Sequence, residues 1–114
     1  MQENEIIQIL DKQTIESMIY TIRGQKVMLD FDLARIYGYS TKAFNQQVQR
    51  NIYKFPTRYR FKLNKDELVY FARCKNFTSQ IWATHEGGRT YLPYAFTEQG
   101  IYMLMTVLKG GNYE

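Results

Sequence analysis

Between Thr41 and Arg50 the chain reads TKAFNQQVQR, and its amides and cations, Lys42, Asn45, Gln46, Gln49 and Arg50, recur one, three and four residues apart with no acid between them. Laid on a helix at about 100° per residue, Phe44, Val48 and Ile52 fall in one narrow arc. Lys42, Gln46, Gln49, Arg50 and Tyr53 fall on the opposite arc, with Asn45 at its edge. The first arc is expected to face a core. The second carries donor and acceptor groups that match nucleobase edges in a major groove, Arg or Lys with guanine and Asn or Gln with adenine. A solvated helix face could carry the same residues, although such faces more often pair Glu with Lys four apart.

Other chemistries find less support. His85 stands beside Glu86 in a polar stretch with Gly87 and Gly88; without a second His, a Cys cluster or a Ser/His/Asp set it reads as a surface residue, not an acid/base pair. Gly100, Ile101 and Tyr102 spell the opening of a nuclease motif whose second half is missing, and they fit the packing of an amphipathic helix. The single cysteine, Cys74, has no internal disulfide partner and no metal-knuckle spacing around it. No catalysis, metal or cofactor is expected.

The elements that must position the amide-rich face can be read from punctuation. MIYTI and KVMLD are short β-prone runs separated by Arg23, Gly24 and Gln25, which predicts a hairpin over residues 18–29. Asp30 or Asp32 is expected to cap a helix running to about Tyr37, which Gly38 ends by accepting a left-handed conformation. Ser40 or Thr41 caps the next helix, which can run to Tyr53 before Pro56 stops it. Leu33 and Ala34 before Gly38, with Tyr39 and Phe44 after it, have the spacing of a helix-turn-helix in which Ala34 permits close approach. Val48 falls one residue later than usual.

Beyond Pro56 the residues alternate, Arg58, Arg60 and Lys62 against Tyr59, Phe61 and Leu63, a period of two that predicts a strand with one basic and one buried face. Asn64 and Asp66 open a further helix to about Arg73, with Leu68, Val69 and Phe71 apolar. Residues 74–90 read as a polar connection, YLPYAF as extended chain, and Thr97 as the cap of a last helix with Ile101, Leu104, Met105 and Leu108 inward, stopped by Gly110 and Gly111. A short helix over Glu5–Leu10 is also suggested. The fold class is α+β: an N-terminal hairpin packed with a helix-turn-helix, a following basic strand and C-terminal helices.

Charge is distributed unevenly over the 114 residues, whose formal net charge is +4. Residues 1–20 set Lys12 against Glu3, Glu5, Asp11 and Glu16, a net of −3, which leaves +7 for the rest. From Leu33 to Lys65 there are eight Lys and Arg and no acid. Such a block attracts polyanions, or it is a solvated basic face. The acidic N-terminus is unlike a signal peptide, and no apolar run nears the about 18 residues of a membrane span. A cytoplasmic protein without membrane contact is expected.

The run GQKVMLDFDLARIYGYSTKAFNQQVQRNIYKFPTRYRFKL, followed by SQ at 79–80 and RTYLPYAFTEQGIYML at 89–104, resembles the ORF6N domain. That family belongs with the KilA-N and BRO-N type DNA-binding domains of bacteriophages, large DNA viruses and prophages. The resemblance implies an acidic extension over residues 1–16, the domain over 17–109 and a tail over 110–114. It also implies a DNA-binding module of a phage or prophage regulatory, antirepressor-type protein. The motif designates Thr41, Lys42, Asn45, Gln46 and Arg50 for the groove and the helical wheel adds Gln49, while Lys54, Arg58, Arg60 and Lys62, which continue the positive surface beside the helix, are expected to meet phosphates. Asn51 matches the motif but lies towards the core arc. Expected partners are double-stranded DNA, a second copy in a homodimer, and a regulatory protein. A module that engages a repressor without binding DNA is the alternative, with the hairpin edge as its docking strand.

Overall fold

The computed structural model describes residues 12–75 and 92–108. Helix α1 (Lys12–Ser17) leads into strands β1 (Tyr20–Ile22) and β2 (Gln25–Leu29); α2 (Asp30–Tyr37) and α3 (Thr41–Arg50) follow. A 3-10 turn (Ile52–Lys54), β3 (Arg60–Lys62), α4 (Lys65–Lys75), β4 (Tyr94–Thr97) and α5 (Glu98–Leu108) complete the order. The α+β expectation holds. The helix expected over 5–10, most of the 74–90 connection, His85 and the glycine stop at 110–111 lie outside the described residues.

The hairpin forms because Arg23 and Gly24 both take positive φ, 55° and 74°, the two-residue turn whose twist matches that of its strands. Arg23 has a Cβ and is held there by contacts outside the turn. Its Nε and Nη2 donate to the Glu67 carboxylate of α4 at 2.8 and 3.1 Å, and its guanidinium lies 4.2 Å from the centre of the Phe61 ring. Glu67 also closes a capping box with Asn64: Glu67 N donates to Asn64 Oδ1 at 2.8 Å and Asn64 N to Glu67 Oε1 at 2.9 Å.

The sheet is antiparallel throughout, in the order β1-β2-β4-β3. Alternation along the strands sorts the apolar residues into two cores. Met28 and Phe96 face α2, α3 and α5, joining Leu33, Ala34, Phe44, Val48, Phe55, Leu104 and Leu108. Tyr20, Val27, Leu29, Phe61 and Ala95 face α4 and its Leu68 and Phe71, with the Tyr20 and Phe71 rings edge to face at 4.7 Å. The sheet is thus covered on both sides.

Three expectations need correction. Neither Asp30 nor Asp32 caps α2: its N-cap is Leu29, with no side-chain cap bond, because the Asp30 carboxylate is drawn inward to other partners. Ile52 is 39% exposed, since the chain tightens into the 3-10 turn after Arg50 and leaves the arc of Phe44 and Val48. Met105, at 55% exposure, also faces solvent; α5 buries only the stripe through Gly100, Leu104 and Leu108.

Thr97 caps α5 as expected, its Oγ1 accepting from Gly100 N at 3.3 Å. The same hydroxyl donates to Arg58 O at 2.8 Å, and Thr97 N donates to Tyr59 O at 3.0 Å. A methyl at Gly100 would overlap the Tyr59 carbonyl, and that carbonyl is backbone committed to Thr97. Gly100→Ala is therefore expected to destabilise the domain by about 1–3 kcal/mol, read as a lower urea midpoint; an unchanged midpoint would mean that the loop before β3 yields freely.

Candidate nucleic-acid interface

The corner between α2 and α3 is built from one glycine. Gly38 sits at φ 80°, its N–H and that of Tyr39 donating to the last carbonyls of α2, Arg35 O at 3.2 Å and Ala34 O at 2.8 Å. Ser40 then caps α3, its Oγ accepting from Ala43 N at 3.1 Å. Ala34, Phe44 and Val48 are buried where the two helices meet, as a helix-turn-helix requires.

Phe44 and Val48 fix the rotation of α3, so the opposite arc faces outward as the periodicity predicts. Lys42, Gln46, Gln49 and Arg50 are exposed, and Thr41 and Asn45 are half-buried. Arg50 Nη1 donates to Gln47 Oε1 at 3.1 Å, which orients the guanidinium along the helix. Asn51 has a structural role at the C-cap, with Nδ2 donating to Gln47 O at 3.0 Å.

Asn45 is tied down. Its Nδ2 donates to Asp30 Oδ2 at 2.9 Å, and the same oxygen accepts from Tyr94 N at 3.2 Å. Asp30 is wholly buried, so this side of Asn45 serves as an anchor for α3 beneath its outward face.

Of the four cations expected to hold phosphates, Lys54, Arg58 and Lys62 reach solvent and Arg60 does not. Arg60 is 8% exposed and its guanidinium lies 3.6 Å from the centre of the Tyr94 ring. Opposite Phe96 in the ladder, it points to the face covered by α2 and α3. The expectation of a basic outer face assumed a sheet open on one side, whereas both faces of this one are covered. Burial lowers the pKa of Arg60, and Tyr94 and the Asp30 charge oppose that fall. Lys62 lies 5.3 Å from the same Tyr94 ring. Tyr94 thus links the strand cations to the Asp30–Asn45 anchor of α3.

Sequence reasoning left Tyr53 out of the site although it lies on the outward arc, and the structure leaves it 77% exposed. The signal that could have found it was a large aromatic on an arc otherwise made of amides and cations. Among the described residues no group of His, Cys, Asp or Glu could hold a metal ion, and no helix is long and apolar enough to cross a membrane.

A small α+β domain with a helix-turn-helix corner, an amide- and cation-bearing second helix and a two-faced sheet is the class that these features define. The ORF6N domain profile matches residues 17–107, and the chain belongs to that family. Membership points to a phage-type regulatory, antirepressor-like module. No curated protein and no solved structure gives a significant match.

Beneath this surface, burial is the main cause raising the Asp32 carboxyl from 3.8 to about 6; nearby Asp30 adds to the rise and Arg35 opposes it. The folded state then holds this proton more tightly than the unfolded chain, so the contribution of protonated Asp32 is full below about pH 4 and is lost as pH rises through 6. Asp32→Asn should flatten this dependence and stabilise the domain at pH 7 relative to pH 4 by on the order of 1–3 kcal/mol. Urea unfolding of parent and variant at both pH values measures the difference, and parallel pH profiles would contradict it.

Proposed function

We propose that this domain binds double-stranded DNA without catalysis, laying α3 in the major groove and placing Lys54, Arg58 and Lys62 against phosphates. The observation that carries this reading is the outward face of α3. Four exposed side chains able to pair with base edges, Lys42, Gln46, Gln49 and Arg50, project from a helix set by a glycine corner. They lie within a 33-residue stretch that has eight cations and no acid. Base contacts specify and phosphate contacts position, and both kinds of side chain are present. Thr41 and Asn45 would stand at the margin of the groove contact, Asn45 chiefly holding the helix in place.

A regulatory partner protein is the second reading, favoured by the position of β1 at the end of the strand order among the described residues. A groove of about 440 Å³ beside it is lined by Ile19, Ile22, Arg23, Glu67, Tyr70 and Phe71, and an extended segment could add to the sheet there. Titrating labelled duplex over a series of salt concentrations separates the two. Groove binding predicts log K falling against log salt with a slope on the order of −3 to −4, given a few phosphate contacts; no duplex binding at low salt would leave the partner protein.

Two variants test the roles. Arg50→Ala should cost about 1–3 kcal/mol on a preferred site and relax sequence preference. Arg58→Ala should weaken all duplexes alike and reduce the salt slope by about 1. An Arg50 variant that binds every duplex as the parent does would remove Arg50 from the groove.

A further inference from the structure

A second kind of contact follows from the end of α3, and it rests on the DNA-binding reading. After Arg50 the chain leaves the α-helical path and takes one 3-10 turn over Ile52–Lys54. That change carries Ile52 away from the core, to 39% exposure, and leaves the Tyr53 ring 77% exposed. Two adjacent apolar side chains are therefore presented to solvent where an unbroken helix would have buried one of them beside Val48. Along the chain they stand between exposed Arg50 and Arg58, and Lys54 places its Nζ 5.8 Å from the centre of the Tyr53 ring. Tyr53 follows Arg50, the last residue of α3, by three positions.

An aromatic ring set among cations on a surface facing a polyanion is placed for contact with its less polar parts. We propose that Tyr53 is a further DNA-binding residue, packing its ring, with Ile52 beside it, against deoxyribose and base edges at the groove wall where α3 ends. Lys54 and Arg58, on the far side of Tyr53 in the chain, engage phosphates and bring that wall within reach, while Arg50 reaches the bases. The contact is uncharged, so it adds affinity without releasing counterions, and this distinguishes it from every Lys and Arg nearby. Removing an apolar contact of this size should weaken binding roughly tenfold.

The test is a salt series of duplex titrations on the full chain for the parent, Tyr53→Ala, Tyr53→Phe and Arg58→Ala. Tyr53→Ala should bind roughly tenfold more weakly with an unchanged salt slope, Tyr53→Phe should bind nearly as the parent, and Arg58→Ala should lose about one from the slope. An unchanged urea midpoint for Tyr53→Ala shows that the loss is one of contact. If Tyr53→Ala binds as tightly as the parent, or loses affinity by a changed slope, the proposal is overturned while DNA binding stands. If Tyr53→Phe falls as far as Tyr53→Ala, the hydroxyl carries the contact and the ring assignment is wrong. A parent that binds no duplex overturns both readings.

Discussion

The wholly buried carboxylate of Asp30 is the constraint on which the arrangement of this domain depends. Taking a carboxylate out of water costs several kcal/mol unless charge and hydrogen bonds replace the solvent. Here it lies in the first turn of α2, at the positive end of that helix. It accepts from Asn45 of α3 and from the backbone of Tyr94 in β4, and the Arg60 charge of β3 is close enough to interact with it. Four elements therefore converge on one group. Moving any of them away would leave a buried charge poorly satisfied, which is a stronger restraint on their geometry than apolar packing alone supplies.

That convergence also explains why the surface of α3 can be almost free of structural duties. Phe44 and Val48 set the rotation of the helix, Asn45 sets its seat, and Ser40 closes its start, so the remaining side chains are available for a partner. The two acids of α2, Asp30 and Asp32, are both buried, and α3 itself carries no acid.

Much of this was legible in the sequence where a single residue type determines a local conformation. Arg23-Gly24 marked the hairpin, Gly38 the corner, Ser40 and Thr97 the caps, and the period of Phe44 and Val48 the rotation of α3. What was hidden depended on which surfaces are covered. Arg60 alternates correctly for an exposed cation, but α2 and α3 lie over the face to which it points. Ile52 has the period of a core residue, but a change of helix type redirects it. Asn45 looks like one more amide until Asp30, 15 residues away, is brought within 2.9 Å of it.

The strand order carries a consequence for how the chain reaches this state. β4 lies between β2 and β3, and Thr97 pairs with Val27 across 70 positions of sequence. The middle of the sheet is therefore supplied by the last of the described strands, and until it is in place β2 and β3 each lack a neighbour. The glycine corner can form early from local contacts, but its seat cannot, because Tyr94 supplies part of it. The sheet and the seat of α3 therefore both depend on the same four residues, Tyr94–Thr97, and pairings this distant in sequence carry a high loop-closure cost.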